Sequence, residues 1–296
     1  MKMTFEARLR DYRKQLGLSQ EKLAEELHIS RQAITKWESG AGTPDIANLM
    51  ALSDFFQISI DQLLFGKEAN GQSKDFRYES STEYDIDGKK DFDMHLGGAY
   101  QVSLQAIESE KVKVKLLSNN LNQLEEFFKI KIDDVKNSID IDLNRLGDMT
   151  EAIAKENLRI EILLPEKYLG KIELAVNAQE LLLTNICSHR FELSGKVSAI
   201  TVDGGVGAME FDSNLDMFVK ILSHQGEIAL NQLSATSKIQ VPRDYVFQAV
   251  KKGLATKIFF EENGKTSDDF SIQDCENILE LNGFKSELVI SRNLND

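Results

Sequence analysis

The sequence has only two cysteines, Cys187 and Cys275, set far apart. A disulfide framework would need more of them, so a reducing cytoplasm is the simpler setting. No apolar run approaches the roughly 18 residues that span a bilayer. The opening MKMTFEARLRDYRK is charged where a secretory leader would be apolar. The expected location is therefore cytoplasmic, with no membrane partner. The four histidines, at 28, 95, 189 and 224, share no ligand-type spacing. The run Cys187-Ser188-His189 brings a thiol near an imidazole, but no second Cys/His pair completes a tetrahedral zinc set. No metal and no other cofactor is expected.

What is present is globular. Hydrophobic residues make up 42% and charged residues 28% of the 296, enough for one large domain or two ordinary ones. Net charge is −13, unevenly spread: residues 1–66 carry eight Lys/Arg against nine Asp/Glu, and the remainder 27 against 39. An acidic body repels nucleic acid at long range, so any such binding must come from a local basic face on the first part.

Residues 1–66 read as helix after helix. Phe5, Leu9, Tyr12 and Leu16 share helical spacing up to Gly17. Ser19 caps a second segment carrying Leu23, Ala24 and Leu27. Ser30 caps a third, with Ile34 and Trp37 on one face, ending at Gly40. In TPDIANLMALSDFF, Thr43 is the cap candidate and Pro44 the first helical residue. SIDQLLF makes a short fifth helix. Residues 67–80 have few apolar positions and read as a linker. From 81 to 296 the period changes: EKVKVKLL, SIDIDL and LRIEILLP alternate as half-buried strands do, with a helical interlude at Leu121, Leu124, Phe127 and Phe128.

A repeat begins near Lys171. KIEL recurs as RFEL, AMEF and EIAL at steps of 19, 18 and 19 residues, and a second apolar doublet keeps the beat at Leu181/Leu183, Ile200/Val202, Val219/Ile221 and Ile239/Val241. Two strands per 19 residues point to stacked coils of a β-solenoid. An antiparallel sandwich with evenly spaced hairpins would show a similar beat. After Pro242, DYVFQAVKKG suits strand or helix, and TKIFFEENG and SELVISR read as closing strands. The expected fold is multidomain, an all-α five-helix domain followed by a mainly-β solenoid-like one.

The compact pair of helices in LSQEKLAEELHISRQAITKWESG meets the demands of a helix-turn-helix. Ala24 permits close approach, His28 sits where the turn needs positive φ, and Ile29 anchors the turn. On the second helix Ile34 and Trp37 form an apolar face, opposite Arg31, Gln32, Thr35 and Lys36. With the following PDIANLMALSDFFQISIDQLL, residues 5–65 resemble the phage-repressor-like helix-turn-helix domain of the XRE family of bacterial transcriptional regulators. The departure is His28, where that family most often has glycine. The resemblance implies that Gln20 and the helix N-termini at Ser19 and Ser30 hold phosphate. It makes Arg31, Gln32, Thr35 and Lys36 the base-facing candidates. Arg8, Arg10, Arg13 and Lys14 are further phosphate candidates or merely solvate their helix. Trp37 is core. The implied partner is double-stranded operator DNA with inverted half-sites, met by a homodimer.

Residues 80–292 resemble, by strand rhythm and turn composition, the β-solenoid-like domain called adhesin in many bacterial proteins, a name that says little about activity. No catalytic set is evident there. The glycines of DGGVG at 203–207 suit tight turns better than phosphate binding, with no Lys-Ser/Thr following. The chain therefore reads as a transcriptional regulator, of repressor type by its resemblance, whose β domain assembles the dimer or senses a protein or ligand. The alternatives are a DNA-tethered interaction protein, antitoxin-like or scaffold, favoured by an exposed apolar patch, and an enzyme on a DNA anchor, favoured by a deep pocket.

Overall fold

The structure is a computed structural model, and it describes residues 4–15, 18–27, 29–56, 63, 76–262, 265–267 and 275–292. The chain divides into two compact units, residues 1–75 and 76–296. The first is helical and the second is a large mainly-β domain.

In the first unit, α1 spans Phe5–Gln15, α2 Gln20–Glu26, α3 Arg31–Ser39 and α4 Ile46–Phe56. Ser19 and Ser30 are extended N-caps whose hydroxyls accept from the N–H groups of Lys22 and Ala33 at 3.0 and 3.2 Å. Gly40 closes α3 at φ 74°, a left-handed residue at the position glycine favours. The cap of α4 is Asp45, not Thr43. Its carboxylate accepts from the Asn48 N–H at 2.8 Å and its carbonyl from the Leu49 N–H at 2.9 Å, so Pro44 falls one residue before the cap. Leu9, Leu23, Ala24, Ile34, Trp37, Leu52 and Leu63 form one core. Gly17, His28 and most of the expected fifth helix lie outside the described residues.

The second unit opens with β1 at Tyr78–Asp85, so the last three residues of the expected 67–80 linker are strand; residues 67–75 lie outside the described residues. β2 (Lys90–Ile107), β7 (Leu169–Thr184) and β8 (Cys187–Asp212) are long strands that each contribute to two faces, and they stack in parallel. β7 and β8 pair at a constant offset of 19 residues, from Ile172↔Phe191 to Thr184↔Asp203. β9 (Phe218–Gln225) with β10 (Glu227–Leu233), then β11 (Thr236–Val241), continue the two faces. The parallel register identifies a solenoid and removes the antiparallel sandwich.

Inward positions form columns along the stack. One runs Val102–Leu181–Ile200–Val219–Ile239–Ile290–Phe260 in register, and all but the partly buried Phe260 are fully buried. Such columns are the structural form of the apolar doublets. Each fully buried aliphatic side chain contributes about 1.5–3 kcal/mol of transfer free energy. The glycine run at 203–207 lies on a bend. A Cβ on Gly207, at φ 131°, would stand 1.8 Å from the Ser188 carbonyl oxygen of the coil beneath. Close coil stacking accounts for that glycine.

Two features depart from a simple repeat. At the front, residues 108–168 make an excursion that covers the first coil. β3 (Lys111–Ser118) runs antiparallel to β6 (Arg159–Pro165), and β4 (Phe128–Val135) antiparallel to β5 (Ser138–Arg145). The expected helical interlude shrinks to α5, Leu124–Phe127, because Phe128 already belongs to β4, while a second helix, α6, appears at Glu151–Asn157. At the far end the chain order is broken. β12 (Gln248–Leu254) and β13 (Lys257–Glu262) are strands, with β14 (Lys265–Ser267) antiparallel beside β13, but β15 (Ile278–Phe284) and β16 (Glu287–Arg292) insert between them and the preceding coil. SELVISR is therefore an internal rung and not a closing strand. The outermost coil carries the exposed Lys251 in register with the buried Leu281; a charged residue at that place suits the open end of a stack, because its stem can cover apolar surface while its ammonium stays in water.

Candidate nucleic-acid interface

The amphipathic α3 places Ile34, Trp37 and Glu38 inward and leaves Arg31, Gln32, Thr35 and Lys36 exposed. Ser19 and Ser30 are exposed at the starts of α2 and α3, and Gln20 is half-buried between them. The expected residues thus share one side of the helix pair.

Glu38 is what the sequence reading missed. Its side chain is 1% exposed. Arg13 donates to it in a fork, Nε to Oε1 at 2.6 Å and Nη2 to Oε2 at 2.8 Å. Gln20 Nε2 donates to Oε2 at 2.8 Å, and Arg10 Nη2 to the Glu38 carbonyl at 2.7 Å. Burial pushes the Glu38 carboxyl upward, but the bonds from Arg13 and Gln20 and the charges of Arg13 and Arg10 outweigh it. The net pKa lies below the ordinary 4.5. Arg13 rises in turn, first through its bond to Glu38. The signal was available: Glu38 stands four residues after Ile34, so helical spacing puts a carboxylate on the inner face, where it needs a buried cation.

This network changes the roles of several candidates. Arg8 and Arg13 are buried, and Arg8 Nε donates to the Leu63 carbonyl at 2.9 Å. They neither face phosphate nor merely solvate α1; they tie α1 to the rest of the unit. Arg10 is half-exposed over Glu38, and Lys14 is exposed. Gln20 commits one amide N–H to Glu38, which leaves a second N–H on the same amide. Its Oε1 accepts from the Thr35 hydroxyl at 3.1 Å, which alternatively reaches the Arg31 carbonyl at 3.0 Å. That proton is held internally, although Thr35 is exposed. Lys36, Arg31 and Gln32 are the long side chains that stand clear. Trp37, 6% exposed, is core.

This is a helix-turn-helix domain, two short capped helices at close quarters with a polar outer face on the second. Residues 9–63 match the helix-turn-helix family model HTH_3, and the N-terminal region is of the XRE type. The transcriptional activator BcrR of Enterococcus faecalis is 48% identical over 66 residues, 22% of this chain and 32% of that protein. The cryptic phage CTXphi transcriptional repressor RstR of Vibrio cholerae is 39% identical over 61 residues, 21% of this chain and 54% of that protein. The chain thus spans between a third and about half of these relatives' own lengths. Among solved structures, the P22 c2 repressor bound to a synthetic operator is 38% identical, covering 22% of this chain and 97% of that one, with a TM-score of 0.21. A provisionally named cell adhesion protein from Clostridium sporogenes is 15% identical, covering 73% of this chain and 99% of that one, with a TM-score of 0.35.

Proposed function

We propose that the chain is a sequence-specific DNA-binding transcriptional regulator, with α3 as the helix that enters the major groove. The supporting observation is the division of α3: a face locked to α1 and α2 through Glu38, and an opposite face presenting Arg31, Gln32, Thr35 and Lys36. Arg31 suits guanine O6/N7 and Gln32 suits adenine N6/N7, while the Thr35 methyl suits a thymine methyl. Ser19, Gln20 and Ser30, at the helix starts, hold phosphates. The reading carries a cytoplasmic location with it.

A single small domain near zero net charge binds DNA weakly, so the proposal includes a homodimer on inverted half-sites about one DNA turn, roughly 34 Å, apart. The β domain is the assembly or sensing device, with no catalytic role. BcrR is named an activator and RstR a repressor, so relatives favour neither sign; a repressor is the simpler form, since it needs only to occupy the operator.

A second reading, a DNA-tethered protein whose β domain grips a partner, has one observation in its favour. Leu233, Phe284 and Leu254 stand in register on three adjacent coils and are 52%, 39% and 68% exposed. Large apolar side chains stacked in the open are the kind of feature partner surfaces have.

The test is selection of binding sites from random duplexes by the full chain, followed by titration of the preferred site. The Arg31→Ala and Gln32→Ala variants should each lose about 1–3 kcal/mol on that site and relax preference at one base position. An unchanged affinity and sequence profile in both variants would remove α3 from the groove. A one-to-one complex with an asymmetric footprint would remove the dimer.

A further inference from the structure

One corner of the solenoid is apolar in the open. Leu233, Phe284 and Leu254 lie in register on three successive coils. Leu215, 42% exposed, occupies the same turn one coil below, where its carbonyl accepts from Gln232 Nε2. Outward positions recur every second residue of a strand, so the column two residues earlier faces the same way as the ladder. That column is Asp212, Asn231, Asn282 and Lys252, again in register.

The column has a direction. Asn231 Nδ2 donates to Asp212 at 2.5 Å and Asn282 Nδ2 to Asn231 Oδ1 at 3.0 Å, so each amide donates toward the Asp212 end. At the other end Lys252 binds the buried Glu280 at 2.6 Å, yet its side chain stays 63% exposed with donors to spare. A second column, past the turn, repeats the sense. Asp216 accepts from the Thr236 N–H, Thr236 is in register with Glu287, and Glu287 with Lys257. Lys257 pairs with Glu287 at 3.0 Å and is likewise exposed. Both flanks thus run from an aspartate on the inner coil to a lysine on the outermost, with the apolar ladder between them.

We infer that two copies of this chain meet on this corner, which makes it the assembly surface of the homodimer proposed above and rests on that reading. Turning a second copy about an axis parallel to the strands reverses the order of its coils. Leu254 then meets Leu215 and Phe284 meets Leu233, while Lys252 and Lys257 meet Asp212 and Asp216. A two-fold contact must be complementary to itself. A surface that is acidic at one end, apolar along its length and basic at the other meets that condition. With the coils in the same order, like charges would face each other. A different protein would place no such demand on the order of charges about the centre of the ladder.

The test is sedimentation equilibrium of the full chain, then of Leu233→Asp and Phe284→Asp, both changes at exposed positions. The wild type should be a dimer. Each variant should raise its dissociation constant at least about tenfold, as loss of a central interface residue does, with circular dichroism unchanged. Orientation is read with a short bismaleimide on a background of Cys187→Ser and Cys275→Ser. Leu215→Cys together with Leu254→Cys should give covalent dimer on a denaturing gel. Neither change alone should, because each residue's own mate would stand about 14 Å away, three strand spacings. A monomeric wild type overturns the proposal and leaves the ladder to a different protein. A dimer indifferent to both aspartates also overturns it, as does a double-cysteine variant that links no better than the single ones. Base preference separates the two readings: an Arg31→Ala profile that does not change, beside a ladder-dependent dimer, strikes only the DNA reading.

Discussion

The two units solve the problem of a stable core in opposite ways. The helical unit has a small apolar core and closes it with a buried ion pair, Arg13 with Glu38, to which Gln20 and Arg10 are attached. The β unit relies on repetition: column upon column of Val, Leu, Ile and Phe, each coil resting on its neighbours. A few polar contacts therefore decide the first unit, while the second is decided by which coil lies next to which. The difference can be tested by damaging each unit where its own logic is weakest.

The largest effect should come from the intercalated last coil. β15 lies between β10 and β12, and β16 between β11 and β13. A chain stopped after Asp274 lacks both inserted strands, so β12 and β13 lose their parallel partners as well. In a solenoid, stability is a sum of coil and interface terms. Hydrogen exchange on the truncated chain should therefore show lost protection through residues 248–262, with α1 to α4 unchanged. Retained protection at 248–262 would mean that these strands pair directly with β10 and β11, and that insertion is not structurally required.

Next in size is Glu38→Ala. Removing one partner leaves Arg13 buried without its counter-charge, a change worth about 3–5 kcal/mol. Thermal unfolding followed by the single tryptophan, Trp37, which reports the helical unit alone, should shift strongly downward. The β unit, followed by far-UV circular dichroism at its own transition, should not move. A shift below about 1 kcal/mol would show the pair to be solvent-screened.

These two cases mark how far the sequence could be read. Local signals were sufficient for the helix caps at Ser19 and Ser30, for the end of α3 at Gly40, and for most strands, because each depends on neighbours within a few residues. The 19-residue beat was legible because it recurs. Thr43 lost to Asp45 because both types cap helices, and only the geometry around Asn48 chooses between them. Helix α6 at 151–157 is too short for periodicity to show. The insertion of β15 and β16 between earlier coils leaves no trace in spacing, since TKIFFEENG and SELVISR are equally good rungs. At the candidate interface the exposed quartet on α3 followed from amphipathicity. The burial of Arg8 and Arg13 did not, because an arginine's partner is set by tertiary contact rather than by its own position.

Ser30→Ala should be milder. Its hydroxyl satisfies one N–H at the start of α3, and losing such a cap costs about 1 kcal/mol, within a range of 0.5–2. The same substitution removes a proposed phosphate contact, so operator binding should weaken uniformly across sequences. A drop in stability with unchanged binding would make Ser30 a cap only.

The smallest effect, and the one that separates the units most cleanly, is in pH. Glu38 has its folded pKa held below 4.5 by Arg13 and Gln20 against the cost of burial, so its contribution is complete above about pH 4.5 and is lost as pH falls through the lower folded value. His224 in the β unit is 7% exposed, its Nε2 is 3.0 Å from the Gly207 carbonyl, and burial lowers its pKa from 6.5. The unfolded imidazole therefore binds protons at a higher pH than the folded one. The β unit should begin to lose stability as pH falls below about 6.5, before Glu38 responds. Denaturant titrations from pH 8 downward, read by Trp37 for one unit and by circular dichroism for the other, should show two separate onsets. His224→Asn should erase the upper onset and leave the lower; Glu38→Gln should flatten the lower and leave the upper. If both units weaken together near pH 6.5 even in the His224 variant, the titration belongs to neither group, and the division between a polar-locked and a stacked core fails as an account of their acid behaviour.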